Sequence, residues 1–128
     1  MLCSYNLTNM KIEAISGRLV ALLRQKKFVE AQKTLFHDEV ISIEPDFHPK
    51  AITVGLSNVL LKEQAFLRQV KSWEAFEVSD PVLSKSHFCI RMSSKITTTH
   101  ARKLEIDELV VYTVAEGKVV KEQFFYGG

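Results

Sequence analysis

Two acidic residues lie among bulky apolar ones in the last quarter of the chain. Segment 104–126 predicts a long strand, a tight turn at 115–118 and a second strand. Because alternate residues of a strand share one face, Glu108 and Glu122 fall in step with large side chains. Those side chains are Val110, Tyr112, Phe124 and Tyr126. Carboxylates on such a face lie either at the margin of the sheet, where a nearby Lys or Arg pairs with them, or in a cavity. We expect a pocket.

Residue types that bind metals or act as nucleophiles show no functional spacing. The histidines lack the i, i+4 pair of a helical zinc site; they are His37, His48, His87 and His100. The two cysteines, Cys3 and Cys89, are too few for a zinc site and do not form a disulfide framework. The sequence has no glycine-rich phosphate loop and no nucleophile elbow. We therefore predict no metal and no cofactor.

Composition limits the class of protein. The chain has 128 residues, of which 46% are hydrophobic and 25% charged, as expected for a single domain with a real core. A net charge of +2 without a dense basic face argues against nucleic-acid binding. No segment resembles a signal peptide, and no apolar run approaches the roughly 20 residues that cross a bilayer. We expect one cytoplasmic domain over residues 1–128, with residues 1–9 as a flexible segment.

Hydrophobic spacing predicts an α+β chain whose order is helix, helix, strand, helix and then four strands. The first helix shows one apolar stripe at three- and four-residue spacing and begins near Met10, with Thr8 or Asn9 as its cap. Residues 46–54 contain Pro49 and predict an irregular loop that could act as a lid. The predicted helices are 10–26, 28–36 and 56–70, and the strands are 40–44, 73–79, 87–99 and the two strands of segment 104–126.

The ordered set of segments resembles the SnoaL-like branch of the nuclear transport factor two-like superfamily, which includes the ketosteroid isomerases. The matching segments are the helix pair followed by FHDEVISIEP (36–45), the third helix led by Gly55, VSDP (78–81), and DELVVYTVAEGKVVKEQFFY (107–126). The resemblance implies a cone: a strongly curved, mostly antiparallel sheet wrapped around three helices, with an internal cavity. It also implies a homodimer packed through the outer face of the sheet. Because this scaffold hosts many activities, each functional residue of the family has to be compared separately with the residue at the matching position of this sequence.

The resemblance implies a general base at Glu44, directly before Pro45 at the end of the first strand. Ketosteroid isomerases use a carboxylate there to remove a proton next to a carbonyl group. Their two oxyanion donors match Leu19 and Val110 here, which cannot donate a hydrogen bond. Steroid isomerisation by that mechanism is therefore not expected. The SnoaL-like polyketide cyclases also use an acid at the position of Val110, and Glu108, two residues earlier on the same face, could supply a displaced acid. With Glu44 as the group that transfers a proton, the protein would be an isomerase, cyclase or dehydratase.

We predict that the cavity binds a small, apolar or carbonyl-containing molecule, with Glu44 and Glu108 as catalytic candidates. The predicted ligand contacts are Glu122, Tyr112, Val110, Leu19, Met92, Phe124, Trp73 and His48. If these carboxylates share one cavity, they repel one another and at least one has a raised pKa. The alternative is a non-catalytic dimeric interaction module with a vestigial pocket, which the apolar residues at Leu19 and Val110 favour.

Overall fold

The computed structural model describes residues 2–127, and the side chains of residues 11–127. It contains three helices and seven strands. The helices are α1 (Leu2–Arg24), α2 (Phe28–Leu35) and α3 (Leu56–Gln69). The strands are β1 (Phe36–Ile43), β2 (Ile52–Val54), β3 (Val70–Val78), β4 (Val82–Leu83), β5 (His87–Thr98), β6 (Lys103–Ala115) and β7 (Lys118–Phe125).

The seven strands form one open, curved sheet in the order β2-β1-β7-β6-β5-β3, with β4 paired to β5. The pairs are antiparallel except β1 and β7, which run parallel. Irregularities interrupt the register in β1–β7, β3–β5 and β6–β7. Bulges of this kind bend a strand and increase its twist, so they help the sheet to curve around the helices. The α+β cone predicted from the sequence is confirmed.

The hydrophobic core fills the closed end of the cone, between α1, α2 and the concave face of the sheet. Residues of the predicted stripe on α1, among them Leu19 and Leu23, are buried there. From the sheet, Val110 and Tyr112 of β6 pack into the same core, and the Tyr112 ring stacks on Phe88 with centroids 4.8 Å apart. Burial of this apolar stripe against the sheet stabilises α1 more than helix propensity does.

Several boundaries differ from the sequence prediction. Helix α1 begins at Leu2 instead of Met10, so Thr8 and Asn9 lie inside it and are not its cap. Side chains at 1–10 lie outside the described residues, and the predicted flexibility of residues 1–9 stays a prediction. The loop 46–54 ends in strand β2, which pairs with β1 and was not predicted. Strands as short as β2 and β4 contain too few residues to show a two-residue period.

Two predicted turn features are present. Gly55 precedes α3 with φ of 90°, a left-handed value that favours glycine. The C-terminal hairpin turns through Glu116 and Gly117, whose φ values of 56° and 75° are typical of the type I′ turn that matches strand twist.

In the described part of the chain, no helix is long and apolar enough to cross a membrane. The cytoplasmic location stays a prediction.

Candidate functional site

A cavity of about 580 Å³ opens between α2, α3 and the concave face of the sheet, at the end of the cone away from the core. Its volume lies within the range of small-molecule sites, which is ~300–1,000 Å³. Four glutamates that are at least partly buried line it from four different elements: Glu44 follows β1, Glu63 lies on α3, Glu108 on β6 and Glu122 on β7, and the exposed Glu105 of β6 lines it as well. Carboxylates this close together in a partly closed space are unusual, and their contacts define what the cavity can do.

Glu122 is the most buried of the four, with 3% of its surface exposed. The parallel pairing of β1 and β7 places Ser42 beside it, and the Ser42 hydroxyl donates to Glu122 Oε2 at 2.7 Å. Lys62 Nζ on α3 donates to the Ser42 oxygen at 2.8 Å, which completes a chain from lysine through serine to glutamate. Burial raises the pKa of Glu122 to about 7, although the Ser42 bond and the Lys62 charge oppose the rise.

Glu108 lies opposite Met92 in the β5–β6 register and faces the open part of the cavity. Burial raises its pKa to about 8, and the negative charges of Glu44, Glu122 and Glu63 add to the rise. At neutral pH this carboxyl group therefore holds a proton and can donate a hydrogen bond.

Glu63 is the carboxylate that α3 contributes. Gln32 on α2 donates an amide N–H to Glu63 Oε1 at 3.0 Å, which ties the two helices together above the sheet. Burial raises the pKa of Glu63 to about 7; the Lys62 charge and the Gln32 bond oppose the rise, and the Glu44 charge adds to it. Oε1 of the Gln32 amide is buried and has no hydrogen-bond partner among the described residues.

Glu44 lines the cavity, and one of its two carboxylate oxygens accepts a hydrogen bond while the other does not. The Tyr126 hydroxyl donates to Glu44 Oε1 at 3.2 Å, whereas the buried Oε2 has no partner in the described structure. Burial and the Glu44 charge both raise the Tyr126 pKa above its usual range, so the phenol remains a donor. The backbone N–H of Glu44 donates to the Ala51 carbonyl at 2.7 Å, which fixes the base of the 46–54 loop.

The opposite wall of the cavity is aromatic. Phe28 of α2 stacks on Trp73 of β3 with centroids 5.6 Å apart, and the Phe76 ring meets both edge-on. Met92 of β5 and Phe124 of β7 continue this apolar surface towards the carboxylates. The cavity is therefore amphipathic, with one side suited to an apolar group and the other to hydrogen-bond donors.

The structure brings most of the sequence-predicted site residues together. Those that line the cavity are Glu44, Glu108, Glu122, Met92, Phe124, Trp73 and His48. Leu19, Val110 and Tyr112 instead pack in the core at the closed end of the cone and are not part of the lining, so we no longer expect them to contact a ligand. They share a strand or helix face with site residues but lie deeper, where the helices cover the sheet.

Several polar residues that line the cavity were not predicted as site residues. Three of them, Gln32, Lys62 and Glu63, lie on helices. Their one sequence signal was a charged pair, Lys62-Glu63, in an otherwise amphipathic helix. In the described part of the chain, no group of three or more acidic, histidine or cysteine side chains is arranged to hold a metal ion.

The comparisons with known proteins agree with this fold. A sequence model of the SnoaL-like domain matches residues 10–126, and the chain belongs to this family. No curated protein matches the sequence.

Solved structures share the fold. A proposed SnoaL-like polyketide cyclase from Mesorhizobium loti has 25% sequence identity and a TM-score of 0.83, over 90% of this chain and 98% of that one. TerC, co-crystallised with polyporic acid, has 13% identity and a TM-score of 0.71, over 91% of both chains. A ketosteroid isomerase-like protein from Catenulispora acidiphila in complex with trimethylamine has 10% identity and a TM-score of 0.64, over 77% of this chain and 75% of that one.

Proposed function

We propose that the cavity binds a small molecule with a carbonyl group and that Glu44 transfers a proton on it, as in an isomerase, cyclase or dehydratase. The observation that carries the proposal is the free, buried oxygen Oε2 of Glu44 in a cavity that also contains Glu108. A base needs a lone pair that no hydrogen bond occupies, and an enolate needs a nearby hydrogen-bond donor. Glu44 offers the lone pair, and Glu108 is the nearby donor.

Each residue has a defined part in this reaction. Tyr126 holds Oε1 of Glu44, so Oε2 is free to take a proton from the carbon next to the carbonyl. The electrons of the broken C–H bond move into the new carbon–carbon double bond, and negative charge develops on the carbonyl oxygen. Glu108, protonated because its pKa is about 8, donates a hydrogen bond to that oxygen. Protonated Glu44 then returns the proton to another carbon or to a leaving group.

The relatives support a small-molecule site in general terms. Polyporic acid was co-crystallised with TerC, trimethylamine is bound in the protein from Catenulispora acidiphila, and the Mesorhizobium loti protein is a proposed polyketide cyclase. The aromatic wall of Phe28, Trp73 and Phe76 suits the apolar part of such a ligand.

Deuterium exchange tests this proposal without knowledge of the natural substrate. The protein is incubated in D₂O with a panel of cyclic and aryl ketones, and loss of the proton signal next to the carbonyl is followed by NMR. We expect exchange with at least one ketone, and a rate about 10²-fold lower in Glu44→Gln. Glu39→Gln is the matched control, because Glu39 is an exposed glutamate on β1. Undiminished exchange in Glu44→Gln would remove Glu44 from the mechanism.

We also propose that the protein is a homodimer through the outer face of its sheet. Leu109 and Phe125 are directly opposite each other on β6 and β7, and 51% and 48% of their surfaces are exposed. Ile41 and Val54 form a second exposed apolar pair on β1 and β2. Apolar pairs on a sheet face are typical of an interface.

The alternative function is a dimeric interaction module that performs no chemistry. Leu19 and Val110 favour it, because they are apolar at the positions where the resemblance implies oxyanion donors. This alternative predicts no ketone exchange and no thermal stabilisation by small molecules. A ligand that raises the melting temperature in wild type but not in Glu44→Gln would argue against it.

A further inference from the structure

Two buried hydrogen-bond acceptors of residues that line the cavity have no donor. Gln32 has only 6% of its surface exposed, and its Oε1 has no hydrogen-bond partner among the described residues. The amide nitrogen of the same side chain is already used by Glu63. Oε2 of Glu44 is a second buried acceptor without a partner. Buried acceptors without donors are destabilising, so both oxygens point to a ligand that brings N–H or O–H groups.

The charges of the cavity also favour a ligand that carries N–H groups. Glu44, Glu63, Glu108 and Glu122 all influence one another electrostatically. The cation opposing them is Lys62, whose Nζ makes its hydrogen bond to the Ser42 hydroxyl. Lys62 is one cation among four carboxyl groups, so a second positive charge that stabilises the ionised forms of Glu63 and Glu122 would be bound favourably. The remaining titratable side chains of the lining are His48, Glu105, Asp107 and Tyr126, and Asp107 is paired with Arg91 at 2.9 Å.

We infer that the ligand of this cavity is an organic cation, with an apolar body and a primary or secondary ammonium group that donates N–H bonds to Gln32, Glu44 and the neighbouring carboxylates. The apolar body lies against the wall of Phe28, Trp73 and Phe76. The inference rests on the proposed function, because it specifies the substrate class of the same cavity: a molecule with a basic nitrogen as well as a carbonyl group.

Proton release distinguishes this ligand class from others. The pKa values of Glu63 and Glu122 are about 7, so both carboxyls are partly protonated at neutral pH. An ammonium ion beside them stabilises their ionised forms and lowers these two pKa values, so binding releases protons from Glu63 and Glu122, while Glu108 keeps the proton that it donates in the proposed reaction. The affinity of the ammonium ion should therefore rise with pH between 6 and 8, by about tenfold per pH unit for each proton released.

Isothermal titration calorimetry with four probes tests the inference. They are 2-phenylethylammonium, the neutral 2-phenylethanol, the anionic 3-phenylpropionate and phenethyltrimethylammonium, which is cationic but has no N–H. We expect the primary ammonium to bind at least tenfold more tightly than each of the others, with proton release measured in two buffers of different ionisation enthalpy. Equal or tighter binding of the alcohol or the carboxylate, or binding without proton release, would overturn the inference. Equal binding of the quaternary ammonium would overturn the assignment of Gln32 and Glu44 as N–H acceptors.

Variants locate the binding. Gln32→Met and Glu63→Gln should each weaken binding of 2-phenylethylammonium at least tenfold, whereas the exposed control Glu39→Gln should not change it. Glu63→Gln keeps the shape of the side chain and the oxygen that accepts from Gln32, so it remains informative if Gln32→Met folds poorly. The neutral ketone 4-phenylbutan-2-one separates this inference from the proposed function. If the ketone binds and the ammonium does not, the inference fails and the carbonyl site remains; if neither binds, both fail for this ligand size.

Discussion

Replacing Glu122 with glutamine should make the protein more stable at pH 8 and leave its stability near pH 4 almost unchanged. In the folded protein the pKa of Glu122 is raised from 4.5 to about 7, mainly because burial disfavours its charged form. The folded state therefore holds a proton that the unfolded state releases once the pH exceeds 4.5. Between these two values the unfolded state binds fewer protons, so the free energy of unfolding falls as the pH rises.

The expected size follows from the two pKa values. Each pKa unit between the folded and unfolded states corresponds to about 1.4 kcal/mol, so ionisation of Glu122 should destabilise the fold by about 3 kcal/mol at pH 8. Solvent does not screen this charge, because the side chain is only 3% exposed. Glutamine resembles the protonated carboxyl in shape, and its amide oxygen can still accept the hydrogen bond from Ser42.

Urea unfolding at half-unit steps from pH 4 to 8.5 measures this effect. The wild type should lose stability across the series, and the difference between Glu122→Gln and wild type should grow to about 3 kcal/mol by pH 8. Glu39→Gln should follow the wild-type profile, because Glu39 is exposed on β1. Parallel profiles of wild type and Glu122→Gln, or a wild type whose stability rises from pH 5 to 8, would refute the reasoning.

Three further results are expected. Lys62→Met removes a cation that lowers the pKa of Glu122. The loss of stability above pH 7 should therefore increase by on the order of 1 kcal/mol in the same urea series. An unchanged dependence of the unfolding free energy on pH would argue against this electrostatic contact. Leu109→Arg places a charge opposite Phe125 on the outer face of the sheet and should convert the proposed dimer into a folded monomer. Sedimentation velocity measures this change. A monomeric wild type would contradict the dimer. Gly117→Ala should destabilise the hairpin by about 1–2 kcal/mol, because alanine is strained at the positive φ of 75°. The added Cβ would meet no atom within 4 Å, so the backbone angle is the one cause of this strain. An unchanged urea midpoint would show that the turn adapts.

The C-terminal hairpin shows what the sequence could predict. Its alternating pattern and its Glu116-Gly117 turn are local signals, and the structure has both strands and the turn. The same alternation correctly placed Glu108, Val110 and Tyr112 on one face. It could not say how far along the cone each residue lies, because depth depends on where the helices cover the sheet. Val110 and Tyr112 are therefore core residues, whereas Glu108 reaches the cavity.

The helical part of the site could not be predicted for a related reason. Gln32 and Glu63 meet across two helices, 31 positions apart in sequence, and this contact exists only after α2 and α3 have packed on the sheet. A polar residue on a helix is solvated by default, and only the tertiary structure turns it towards a cavity. The parallel β1–β7 pairing that places Ser42 beside Glu122 is likewise a long-range contact without a local signal.

Titration of the glutamate carboxyl carbons by carbon-13 NMR, with Glu108→Gln to assign the Glu108 signal, tests the proposed chemistry most directly. That chemistry requires a carboxyl group that stays protonated at neutral pH in the cavity, beside a second one with a free oxygen. We expect a resonance that titrates near pH 8, is missing in Glu108→Gln and is present in Glu39→Gln. If every glutamate titrates below about pH 5, as in unperturbed peptides, the cavity does not hold the proton that the proposed chemistry requires.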